Sequence, residues 1–87
     1  MITIYKYALP QISNLVKIPF GSNWMKFALQ NEVPHMWAAV TDEKEEEIWE
    51  INFLMTGHEV KDEDGTYMET LFCKDGIVLH VFGKHTS

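Results

Sequence analysis

From Glu47 onward, apolar side chains fall on every second residue: Trp49, Ile51, Phe53 and Met55, stopped by Gly57. A period of two places successive side chains on opposite faces of an extended chain, and it cannot give a helix a continuous apolar stripe. The same period recurs elsewhere. Ile2 to Leu9 alternates and ends at Pro10, Leu15 to Ile18 is a short strand, and Trp24 to Gln30 sets Met25, Phe27 and Leu29 against Trp24, Lys26, Ala28 and Gln30. In Val33 to Val40, Met36, Ala38 and Val40 oppose His35, Trp37 and Ala39. Turn residues separate these runs: Pro19-Phe20-Gly21-Ser22-Asn23, Asn31-Glu32 and Lys74-Asp75-Gly76. The second and third turns predict hairpins, the third joining Tyr67 to Cys73 with Ile77 to Phe82.

About seven short antiparallel strands predict an all-β domain, either a small sandwich or a partly open barrel. One segment competes. Residues 42–48 are rich in Glu and Lys, good helix formers, so a short helix is the alternative to a loop that leads into a strand near Glu47. At 87 residues there is room for one core, assigned to residues 1–83 with 84–87 as a tail. Several strands are apolar on both faces, including Ile77, Leu79 and Val81 against Val78, His80 and Phe82. So small a domain cannot bury two layers, so a homo-oligomer is expected, with any pocket placed where copies meet.

The formal charge is −6, unevenly spread: +2 over residues 1–41, −8 over 42–64 and zero over 65–87. That opposes broad contact with duplex nucleic acid, where affinity comes largely from neutralised phosphates. All seven cations are lysines, so any anion is held without the bidentate fork of arginine. The single Cys73 cannot form an internal disulfide, which makes a reducing compartment the default. No apolar run approaches the length of a signal h-region or of a membrane span, so a soluble chain is expected.

The chemistry of the candidates narrows further. His35, His58, His80 and His85 fall in separate elements and share no metal-motif spacing; isolated histidines that bond locally are the simpler reading, and neither metal nor cofactor is expected. Asp62-Glu63-Asp64-Gly65 lacks the register of a calcium loop. Cys73 beside a tight turn reads as an inert thiol, and no general base with a fixed partner can be named. The chain is therefore expected not to be an enzyme. Two binding features remain. Trp24 and Lys26 share one strand face by strict alternation, setting an indole beside an ammonium, with packing at a subunit interface as the competing role. Thr56-Gly57-His58 offers a hydroxyl, an open backbone amide and an imidazole at a strand end, unless Gly57 merely breaks the strand. Trp37 and His80 complete the candidate ligand-binding set.

The segments Ile4-Tyr-Lys6-Tyr7-Ala-Leu9-Pro10, Ile18-Pro19-Phe-Gly21, Gln30-Asn31-Glu-Val33-Pro34-His-Met-Trp37-Ala38-Ala-Val40, Thr56-Gly57-His58, Gly65-Thr-Tyr67 and His80-Val81-Phe82 occur in an order that resembles a family of short, uncharacterised phage and prophage proteins. The resemblance runs from residue 1 to about 83 and implies a phage gene expressed in the bacterial host cytoplasm; it brings no activity. The chain departs from that pattern in its more acidic 42–50 and in Glu59-Val60 after the Thr-Gly-His.

With that resemblance, the favoured expectation is a counter-defence protein that sequesters a small nucleotide immune signal, a cyclic nucleotide or an ADP-ribose derivative, without cleaving it. The alternatives are an acidic protein–protein inhibitor acting through 42–50 and a minor virion or assembly component. A phosphodiesterase ranks last.

Overall fold

The computed structural model describes residues 1–86. Seven strands follow in chain order: β1 Thr3–Ala8, β2 Ser13–Pro19, β3 Asn23–Gln30, β4 Val33–Val40, β5 Glu46–Met55, β6 Thr66–Phe72 and β7 Val78–His85. They form a three-stranded sheet in the order β1-β4-β3 and a four-stranded sheet in the order β2-β5-β7-β6, every pairing antiparallel. The sheets pack face to face as a sandwich that does not close into a barrel.

Alternation decides what enters the space between the sheets. Val16 and Ile18 of β2, Met36, Ala38 and Val40 of β4, Ile51 and Phe53 of β5 and Val81 of β7 are all buried there, each two residues from its neighbour on the same strand. Buried Asn14 takes part in this layer because its amide is satisfied: Nδ2 donates to the carbonyls of Gln11 and Ile51, and Oδ1 accepts from the Gln11 N–H.

Residues 42–45 form a loop rather than the start of a helix, and β5 begins at Glu46. Tertiary pairing overrides helix propensity here. Glu46 and Glu47 lie opposite Pro19 and Ile18 in the β2 ladder, and the Phe20 N–H donates to the Glu45 carbonyl. At the other end β7 continues through Lys84 and His85, past the expected tail boundary, because both residues pair with β5 opposite Glu50 and Trp49. The helical element lies instead at Asp62–Asp64, a single 3₁₀ turn between β5 and β6.

Two turns fix the registers. Asn31 and Glu32 both adopt positive φ, at 52° and 62°, as a two-residue hairpin of matching twist requires. The Glu32 carboxylate accepts the Lys74 N–H at 3.1 Å, tying the β3–β4 turn to the β6–β7 turn. Where β2 passes to the other sheet, Ser22 Oγ donates to the Pro19 carbonyl and Thr41 Oγ1 to the Phe20 carbonyl, so both crossovers are joined at one corner.

Candidate ligand-binding sites

The Trp24-Lys26 arrangement is not the one strict alternation predicts. β3 carries a bulge: Trp24 opposes Ala38 and Lys26 opposes Trp37, leaving Met25 as the extra residue. A bulge adds one residue to one strand, so every side chain before it changes face. Trp24 therefore turns inward beside Phe27, with ring centroids 6.2 Å apart, and meets Trp49 of β5 edge to face at 5.4 Å. Lys26 stays on the outer face with Trp37.

The bulge nevertheless leaves both residues on one cleft. Between the edge strands β3 and β6 runs an opening of about 760 Å³, lined by Trp24, Met25, Lys26, Phe27, Trp49, Gly65, Met68, Glu69, Gly83 and His85, among others. β6 is bulged too, between Tyr67 and Glu69. Two bulged edges thus face each other across the cleft. Glu69 pairs with Val81 and so points toward the interior at the sheet margin, where its carboxylate meets the Lys26 ammonium at 3.4 Å. His85 packs on Trp49 with centroids 5.2 Å apart. Lys84 borders the same space, but its side chain shares the outer face with Glu50. The cleft therefore combines a wall of indoles, phenyl and thioethers with an ammonium and an imidazole at its margin, all from one copy of the chain.

The second expected group forms a separate site. Residues 56–65 fold back over the outer face of the four-stranded sheet, anchored where Asn52 Nδ2 donates to the Asp64 carbonyl at 3.2 Å. Beneath them lies a pocket of about 290 Å³ lined by Leu54, Thr56, Gly57, His58, Val60, Tyr67, His80 and Phe82. His80 is held at both ring nitrogens, with Thr56 Oγ1 2.9 Å from Nε2 and Thr70 Oγ1 3.2 Å from Nδ1. Tyr67 Oη extends the chain to Thr70 Oγ1 at 2.7 Å. Since neutral imidazole has one donor and one acceptor nitrogen, the hydroxyls take opposite roles at its two sides. His58 is committed differently, its Nδ1 accepting the Met55 N–H at 3.4 Å. Thr56, Gly57 and His58 thus line one pocket, which His80 joins from β7, while Trp24 and Lys26 border the larger cleft and Trp37 stands apart on the outer face of the other sheet.

Sequence reasoning missed Trp49, Met68 and His85 in the cleft, Tyr67 in the pocket, and Thr70 as the partner that holds the pocket's His80. Trp49 had a signal, its inward place in the strict alternation of β5. The partnership of Thr70 with His80 had none, because the two residues meet only through the β6–β7 register. No group of three His, Cys, Asp or Glu side chains able to hold a metal occurs among the described residues. No helix among them is long and apolar enough to cross a membrane.

The whole chain, residues 1–87, matches the model of a domain of unknown function, DUF7352, and the protein belongs to that family. No curated protein and no solved structure matches it.

Proposed function

We propose that this member of the DUF7352 family binds a small nucleotide-like anion in the cleft between β3 and β6 and holds it without cleaving it. The observation that carries this reading is the cleft itself: about 760 Å³, within the range of small-molecule sites, walled by Trp24, Trp49, Phe27 and Met68 with Lys26 and His85 at its margin. Apolar and aromatic walls suit a base, and the ammonium and imidazole suit its phosphate. Sequestration is favoured over hydrolysis because the imidazole there packs on Trp49, and among the described residues no hydroxyl is hydrogen-bonded to it. The resemblance to phage proteins makes a nucleotide made in host immunity, a cyclic nucleotide or an ADP-ribose derivative, the ligand class of choice.

The homo-oligomer forms part of the same proposal, with copies pairing along β1. Ile4 and Tyr5 of β1 are 60% and 54% exposed. The free edges of β3 and β6 are bulged and β2 carries Pro19, devices that discourage pairing; β1 pairs with β4 without a register shift and has neither proline nor bulge.

One experiment tests both parts. The purified protein is incubated with cyclic mono-, di- and trinucleotides and ADP-ribose isomers, then read by thermal shift and native mass spectrometry. A ligand at one hundred times its Kd adds about 2.7 kcal/mol, a rise on the order of 10 °C for a domain of this size. The expected result is such a rise with one ligand class, the ligand recovered intact, and an even-numbered assembly. No stabilisation by any member overturns the ligand reading, and a monomer at micromolar concentration overturns the pairing.

A further inference from the structure

The three strands of the smaller sheet contain no acidic residue: all thirteen Asp and Glu lie outside β1, β3 and β4. In a chain of net charge −6, that sheet is the place where an anion meets least repulsion. The outer face of the sheet is also ordered. Lys6 of β1 and Lys26 of β3 both pair with Trp37 of the central strand, so an indole stands between two lysines in one cross-strand row. In the next row His35 lies between Ala8 and Ala28, two side chains too short to cover its ring. The His35 and Trp37 rings are 6.1 Å apart on the central strand. His35 Nδ1 donates to the Val33 carbonyl at 2.8 Å, which leaves Nε2 uncommitted to that bond. Lys6 reaches across β4 to Gln30 Oε1 at 2.7 Å, so its ammonium is drawn over the face rather than off its edge. Nearby acids are already engaged: Glu32 with the Lys74 N–H, Asp42 with the chain's terminal ammonium at 3.0 Å, and Glu69 with Lys26 itself at 3.4 Å, so the Lys26 ammonium is shared between this face and the cleft edge.

From this row we infer that the outer face of β1-β4-β3 binds single-stranded nucleic acid, with Trp37 and His35 stacking two bases and Lys6 and Lys26 neutralising the phosphates on either side. A flat face with aromatic rings on its central strand and cations on the flanking strands has the features that single strands use and that duplexes, with their bases paired inside, do not. The surface is distinct from the inter-sheet cleft; only Lys26 borders both. The net acidity of the rest of the chain confines contact to this one face and to a few nucleotides.

The test uses fluorescein-labelled dT and rU dodecamers, with anisotropy read from 20 to 200 mM salt. Wild type is expected to bind both, with a log–log salt slope of about −1.4, two phosphates at about −0.7 each. Trp37→Leu keeps an apolar side chain but removes the stacking ring, and is expected to weaken binding at least fivefold. Lys6→Gln is expected to halve the slope, while Lys17→Gln on the other sheet, which changes net charge equally, leaves it unchanged. A preference for rU over dT would assign RNA as the natural strand, and equal binding would assign recognition to bases and phosphates alone. Absence of binding at 20 mM salt overturns the inference, as does binding that Trp37→Leu leaves intact. Displacement by poly-glutamate equal to that by unlabelled oligonucleotide also overturns it and assigns the face to an acidic protein. Small-nucleotide binding in the cleft is expected to survive Trp37→Leu, so the two sites fail separately.

Discussion

Lys26 and Glu69 join the two sheets: the ammonium of one bulged edge strand lies 3.4 Å from the carboxylate of the other, across the mouth of the cleft. The lysine is largely exposed and the glutamate half-buried, so the pair contributes at most about 1 kcal/mol to stability. Its consequence for binding is larger. While Glu69 holds Lys26, the ammonium is shared with any phosphate that enters.

Glu69→Gln should therefore tighten binding of a phosphate-bearing ligand in the cleft several-fold while shifting stability by less than about 1 kcal/mol. Calorimetry with the ligand found by thermal shift, paired with a denaturant titration, reads both. Unchanged or weaker affinity would remove Lys26 from the cleft's anion site.

Gly65 borders the cleft just before β6 begins. Its φ of 96° and ψ of −149° lie in a region that is essentially glycine's alone. A Cβ there would run into the backbone carbonyl of Gly83, which cannot yield as a side chain can. Gly65→Ala is expected to cost at least about 2 kcal/mol, a fall in Tm on the order of 10 °C. Gly57 supplies the comparison, with φ of 98° but open space around the added methyl. Gly57→Ala should cost only the backbone strain, about 1 kcal/mol. Equal losses in the two melts would contradict the close approach of Gly65 to Gly83.

Cys73 should behave as a sluggish thiol. Burial, followed by the charges of Asp75 and Glu32, raises its pKa above the ordinary value. The folded protein thus keeps its proton at pH values where the unfolded chain has released it, so stability falls as pH rises past the ordinary thiol range. Alkylation by iodoacetamide should have its pH midpoint above that of a free thiol and should accelerate on unfolding. A midpoint below it would mark an activated cysteine instead.

The strand count, the hairpin turns and the all-β class were legible because they depend on local chemistry: β-branched and aromatic residues at a period of two, punctuated by Pro, Gly and Asn. Trp49, Ile51, Phe53 and Met55 announce their strand without any knowledge of their partners. The same local rules overstated the helix propensity of 42–48, where Glu46 and Glu47 are held in a ladder by β2, far away in sequence.

What only the tertiary structure decided is which side chains meet. An alternating pattern assigns each residue to one of two faces but is silent about bulges, and a single inserted residue, Met25, moved Trp24 from beside Lys26 to beside Phe27 and Trp49. Partners across strands are likewise set by register, so nothing local couples Thr56 and Thr70 to His80, or Lys6 and Lys26 to Trp37. The sequence by itself determined the kind of surface this protein presents, β-strands with a mildly basic front and an acidic middle. The placement of its indoles, lysines and histidines into a cleft, a pocket and a platform arose from pairings between residues 10 to 43 positions apart, whose loop-closure cost and reward exist only in the folded chain.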